Sequence, residues 1–145
     1  MLKGIADGSV DVIATDHAPH HYDEKQVEFD QAPFGITGLE TAVSLCFDRL
    51  VHAGVISFAR LIELLSVNPA RIIGVSGGSL SEGAPADISI LAPDLLVTVD
   101  VARMRSKSRN TPFDGWQLRG GVAATIVEGR VVFVNHDVSN LELKT

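Results

Sequence analysis

The sequence predicts an α/β fold: one strand and two or three helices of a (β/α)8-type barrel, followed by a small β-rich domain. Three observations predict it. A short apolar, β-branched run, Val12-Ile13-Ala14-Thr15, ends in the polar group Asp16-His17-Ala18-Pro19-His20, as a buried strand does where it leaves the hydrophobic layer and presents a catalytic group. Helical periodicity follows it. Beyond Gly74 the pattern changes to short β-branched runs separated by Gly, Pro and Asp. A complete barrel needs roughly 250 residues. The 145 residues here therefore supply part of one.

Each element has its own signal. Residues 12–15 form the first strand candidate. Residues 16–36 read as a long loop, with Pro19, Pro33 and Gly35 and no helical period. Thr37-Gly38-Leu39-Glu40 has capping-box spacing, which predicts a helix starting there. Leu39, Ala42, Val43, Cys46, Phe47 and Leu50 then make one apolar stripe, and Gly54 ends it. Ser57 caps a second helix bearing Phe58, Leu61, Ile62 and Leu65. Asn68-Pro69 breaks that helix and opens a third through Ile73. Strands are expected at residues 87–91, 96–99, 122–127 and 130–134, with Glu128-Gly129 as a two-residue hairpin turn. Residues 101–120 read as a polar loop holding Trp116, and the polar tail from Asn135 is expected to fray.

Composition narrows the function classes. With 46% hydrophobic and 21% charged residues the chain has the balance of an ordinary globular protein. No apolar run approaches the ~20 residues that span a bilayer, and the amino end lacks signal-peptide layout, so no membrane partner and a cytoplasmic location are expected. A net charge of −6 argues against nucleic acid as a partner. The basic cluster Arg103-Met104-Arg105-Ser106-Lys107-Ser108-Arg109 is the exception, read as a solvated loop. Cys46, the single cysteine, lies on an apolar helix face and fits a small buried side chain better than a reactive thiol.

Chemistry concentrates in residues 15–36. Asp16, His17, His20 and His21 have the composition of a metal cluster, since carboxylate and imidazole both bind divalent ions; a turn-capping Asp with solvated histidines accounts for the same letters. Pro19 stiffens the loop and fixes the direction of His20, which a substrate contact needs. Ala32-Pro33-Phe34-Gly35-Ile36 surrounds one aromatic with residues that let backbone approach a ligand; it reads equally as a turn into the following helix. Glu24 and Lys25 suit either a mobile lid over residues 21–31 or plain solvated charges.

Together these residues resemble one family. Ala14-Thr15-Asp16-His17-Ala18-Pro19-His20, Glu24-Lys25 and Ala32-Pro33-Phe34-Gly35-Ile36-Thr37-Gly38-Leu39-Glu40-Thr41 look like the last barrel strand and following loop of bacterial class I dihydroorotases. Ser66-Val67-Asn68-Pro69-Ala70, Glu82-Gly83-Ala84-Pro85-Ala86-Asp87 and Lys107-Ser108-Arg109-Asn110-Thr111-Pro112-Phe113 with Gly115-Trp116 resemble that family's carboxyl end. The resemblance implies the carboxyl-terminal part of a metal-dependent-hydrolase TIM barrel (residues 1–74) plus part of a small β-sandwich domain (residues 75–145). It also implies reversible cyclisation of N-carbamoyl-L-aspartate to dihydroorotate in pyrimidine biosynthesis, with one or two zinc ions. Asp16 matches the catalytic aspartate, a metal contact that carries a proton to the departing ring nitrogen. His20, Phe34 and Gly35 match substrate-binding positions. His17 and His21 match no role.

The departures carry equal weight. The family's H-x-H pair and its later histidines have no counterpart in this sequence. One carboxylate does not hold a catalytic zinc, which takes three or more protein ligands. The chain alone is therefore expected to be inactive and to be a fragment whose partner is the rest of the barrel, with a homo-oligomer or aspartate carbamoyltransferase as further candidate partners. The alternatives are a non-catalytic dihydroorotase-like partner of another pyrimidine-pathway enzyme, or a hydantoinase- or allantoinase-type cyclic amidase.

Overall fold

A computed structural model describes residues 1–140. Five short helices precede a three-stranded antiparallel sheet: α1 (Leu2–Ala6), α2 (Tyr22–Lys25), α3 (Ala42–Cys46), α4 (Phe58–Ile62), α5 (Asn68–Ile73), β1 (Ile88–Thr98), β2 (Gln117–Val127) and β3 (Arg130–Val134). The α/β class is as expected. Several local expectations are not, and each departure has a physical cause.

Residues 12–15 pair with no strand among the described residues. A strand is a ladder and needs a neighbour; here the segment is stitched to helices instead. The Ile13 N–H donates to the Leu64 carbonyl at 3.0 Å, Asn68 Nδ2 to the Asp11 carbonyl at 2.9 Å, and an Arg60 guanidinium nitrogen to the Val10 carbonyl at 3.0 Å. Ile5 on α1, an element the sequence did not announce, completes a small core with Leu50 and Leu64, flanked by Val10, Ile13, Cys46, Val55 and Ile56.

The capping box at Thr37 does not form. α3 begins at Ala42, Thr41 caps it without a side-chain bond, and Glu40 accepts instead from the backbone N–H groups of Arg105 and Ser106 at 2.9 and 3.0 Å. Leu39 consequently lies outside the helix and is 63% exposed, off the apolar stripe. A capping box does form, unannounced, at α2, where His21 accepts from the Asp23 N–H and Glu24 accepts from the His21 N–H. The loop over residues 16–36 thus holds one ordered helical turn.

α3 runs on as a π-turn (Phe47–Val51), and α4 runs on through a π-turn (Glu63–Val67) directly into α5. Asn68-Pro69 therefore does not break the rod. The wider turn, in which the Asn68 N–H reaches the Glu63 carbonyl, accommodates a proline that has no N–H to give. Ser57 does cap α4, its Oγ accepting from the Arg60 N–H at 3.1 Å, and Gly74 ends α5 in the left-handed conformation at φ 72°.

The expected strands at 87–91 and 96–99 are one strand, β1, with irregular register between Ala92 and Leu96. His52 Nε2 donates to the Pro93 carbonyl at 2.8 Å and pins that bulge. β2 starts five residues earlier than expected, immediately after Trp116, which packs edge-on to Phe113 and lies under the Arg49 guanidinium. Glu128 and Gly129, at φ 50° and 75°, make the anticipated two-residue turn into β3. Among the described residues there is one sheet, in order β1-β2-β3, which is what part of a two-sheet sandwich supplies, and α3 with its π-turn covers β2. At that contact Gly120 brings backbone against Phe47: a β-carbon there would overlap the ring. Of the tail, His136–Asn140 forms a 3-10 turn; the rest of the stretch expected to fray lies outside the described residues.

Candidate functional site

Three loops meet where the apolar run ends: residues 16–20, residues 33–38 and residues 107–110. The Ala18 N–H donates to the Ile36 carbonyl at 2.9 Å and the Thr37 N–H to the Asn110 carbonyl at 3.0 Å. Asn110 Nδ2 donates to the carbonyls of Ala18 (2.9 Å) and Gly35 (3.3 Å), while Ser108 Oγ donates to the His20 carbonyl at 2.5 Å. Backbone polar groups that leave regular structure need such partners, and here the β-rich half supplies them to the helical half. In the sequence, Ser108 and Asn110 stand out only as part of a resemblance. Their spacing, two side-chain donors with one residue between them in a polar loop, is the signal that could have found them.

Asp16 has a positive φ of 43°, a conformation that L residues other than Gly adopt sparingly. Its side chain is exposed and, among the described residues, has no hydrogen-bond or ion-pair partner. A backbone strain of order 1–3 kcal/mol thus accompanies a carboxylate that stabilises nothing in the chain. It is free to receive a ligand.

His20 is committed on both sides. Nε2 donates to the Phe34 carbonyl at 2.9 Å, and Nδ1 lies 3.2 Å from Glu24 Oε2, so both ring nitrogens face a partner within the chain. A substrate carboxylate gains His20 only by taking the place of one of them. His17, unassigned from the sequence, supports the backbone, its Nδ1 accepting from the N–H groups of Gly38 and Leu39 at 3.1 and 3.4 Å. His21 caps α2. The four residues with the composition of a metal cluster therefore do not converge, and no group of three or more metal-ligating side chains is gathered among the described residues.

Phe34 is 97% exposed, an aromatic ring with no protein covering it. Gly35 beside it has φ 101°, and a β-carbon there would overlap Ala18, so the turn requires glycine. Lys25, expected to be a lid residue or a solvated charge, instead donates from Nζ to the carbonyls of Pro33 (2.5 Å) and Gly35 (2.9 Å). Between α2 and the third loop lies a cleft of about 620 Å³ lined by His20, Tyr22, Lys25, Lys107, Arg109 and Asn110 among others. Lys107 and Arg109 are exposed and form no ion pair among the described residues, which gives the cleft mouth a cationic edge suited to an anion.

Burial pushes the Cys46 thiol above its ordinary range, in keeping with a packing side chain. No helix among the described residues is long and apolar enough to cross a membrane.

For a divalent ion, the donor set fits in part. Asp16 offers one hard oxygen donor, exposed and uncommitted; every further ligand has to come from outside these residues.

Residues 1–132 match the model of the amidohydrolase family. The chain is 56% identical over 132 residues to a dihydroorotase of Pelotomaculum thermopropionicum and 47% identical over 133 residues to one of Geobacter metallireducens. These matches cover 91% and 92% of this chain but 31% of each relative, so the chain spans under a third of their length. Among solved structures it is similar to an L-hydantoinase (dihydropyrimidinase) from Arthrobacter aurescens, with TM-score 0.84 and 32% identity over 90% of this chain and 30% of the other. It also matches a dihydropyrimidinase from Brevibacillus agri at TM-score 0.84 and 24% identity, over 92% of this chain and 30% of the other. The resemblance in shape extends over both the helical and the β-rich parts.

Proposed function

This chain belongs to the amidohydrolase family, and from that premise we propose that it is the carboxyl-terminal portion of a zinc-dependent dihydroorotase. Residues 1–74 supply the last strand, substrate loop and helices of the barrel, and residues 75–145 part of the small β domain. The enzyme closes N-carbamoyl-L-aspartate to dihydroorotate and reopens it, in the cytoplasmic synthesis of pyrimidines.

The observation that carries this is Asp16: a carboxylate at a loop tip, at a strained φ, exposed and uncommitted to any described residue. In the proposed reaction Asp16 would be one of the residues that hold the metal, and its carboxylate would accept the proton of the attacking water and return it to the ring nitrogen as the amide bond breaks. The divalent ion supplies a lowered water pKa and a polarised carbonyl. His20 meets the substrate carboxylate by exchanging the exposed Glu24 carboxylate for it while keeping the Phe34 carbonyl, and Phe34 and Gly35 present backbone to the ring. The identity of 46–56% to dihydroorotases supports this substrate over that of the structural neighbours.

The complete enzyme, the polypeptide joining this segment to the rest of its barrel, is expected to bind zinc and hydrolyse dihydroorotate. Preference for an uncharged hydantoin or dihydropyrimidine would move the assignment to the hydantoinase branch, the reading that the 32%-identical structural neighbour favours. Turnover of neither, by a folded and metal-loaded protein, would leave the non-catalytic partner. The isolated chain is expected to be inactive.

A further inference from the structure

We propose that Lys25 is a positioning residue for the substrate loop: it clamps the carbonyls of Pro33 and Gly35 so that the amide N–H groups of Phe34, Gly35 and Ile36 form a donor row for the ring. This rests on the function proposed above and deepens it.

Three consecutive carbonyls of this loop are each taken by a side-chain donor. Pro33 accepts from Lys25 Nζ, Phe34 from His20 Nε2, and Gly35 from both Lys25 Nζ and Asn110 Nδ2. The three amide N–H groups that belong to the same peptide units, those of Phe34, Gly35 and Ile36, have no acceptor among the described residues. In a planar trans peptide the N–H points opposite to its own C=O. A clamp on the carbonyls therefore sets the direction of the amides, and a charged donor on a carbonyl also polarises its amide into a better donor. Lys25 itself has no acidic partner among the described residues, so its ammonium serves these two carbonyls alone. The capping box of α2 holds the helical turn from which it reaches. A ring bearing carbonyl oxygens and a carboxylate offers the acceptors such a row lacks.

Lys25→Met keeps the aliphatic stem and removes the donors; Lys25→Gln leaves two neutral donors on a stem one atom shorter; Lys25→Arg keeps the charge and enough donors for both carbonyls. In the complete enzyme, KM for dihydroorotate is expected to rise roughly tenfold or more in Lys25→Met, less in Lys25→Gln, and to stay within about threefold of the parent in Lys25→Arg, with kcat changed about threefold or less throughout. That graded order follows donor number, which a role in folding alone would not produce. An unchanged KM in Lys25→Met, a fall confined to kcat, or failure of Lys25→Arg to rescue would overturn the proposal while leaving the enzyme assignment intact. A parent enzyme that neither binds nor hydrolyses dihydroorotate would remove the functional reading itself, and this inference with it.

Discussion

Asp16 and His20 sit four residues apart and do opposite things in the chain. Asp16 is uncommitted, whereas His20 is held by Glu24 and the Phe34 carbonyl. The proposed division of labour follows: His20→Ala should raise KM roughly tenfold to a hundredfold by loss of a charge-assisted contact while kcat falls less, read by steady-state kinetics on the complete enzyme. Equal loss in kcat would assign His20 to the chemical step. Cys46, with its thiol pushed up by burial, is expected to resist alkylation at neutral pH in the native protein and to react after denaturation, measurable by mass spectrometry. The identities of Asp16, His20, Phe34 and Gly35 as site candidates were legible because strand exits and Pro/Gly turns leave local marks. Glu24 and Lys25 look like lid or solvated charges in sequence because their partners, the His20 ring and the carbonyls of Pro33 and Gly35, come from turns whose shape no local spacing encodes.

Among elements, α3, α4, α5 and the β2-β3 hairpin were visible in sequence while α1 and α2 were not, since Ser57, Gly74 and Glu128-Gly129 act within a few residues of themselves. Expectations failed where a distant group displaced a local one. Glu40 caps the loop at Arg105 and Ser106 rather than its own helix, and His52 holds β1 together across Pro93. Residues 12–15 lack a ladder because no strand lies beside them among the described residues. Between the two halves, Gly120 lies against Phe47 with no room for a β-carbon. Gly120→Ala meets both a positive φ of 105° and the ring, and should destabilise by about 2 kcal/mol or more, seen as a lower urea midpoint in the complete enzyme. A wild-type midpoint would mean that the sheet and the π-turn are not packed as described.

At the scale of the molecule, much apolar surface is uncovered. Ile72, Ile73, Val75 and Leu80 are more than half exposed, as are Val131 and Val132 on β3 at the sheet edge. Surfaces of this kind drive association. The isolated chain is therefore expected to self-associate or precipitate, and light scattering showing a well-behaved monomer would count against its being one part of a larger barrel. The α/β class and the family were legible from the pattern and the motifs; a metal site was not, because no three metal-ligating side chains gather among the described residues. What the proposed site takes from this chain is one acid group. Asp16→Asn in the complete, zinc-loaded enzyme replaces it with an isosteric amide that cannot carry a proton. Dihydroorotate should still bind, measured by calorimetry, while kcat falls by roughly a thousandfold. Turnover within a few fold of the parent would show that the proton travels by another route.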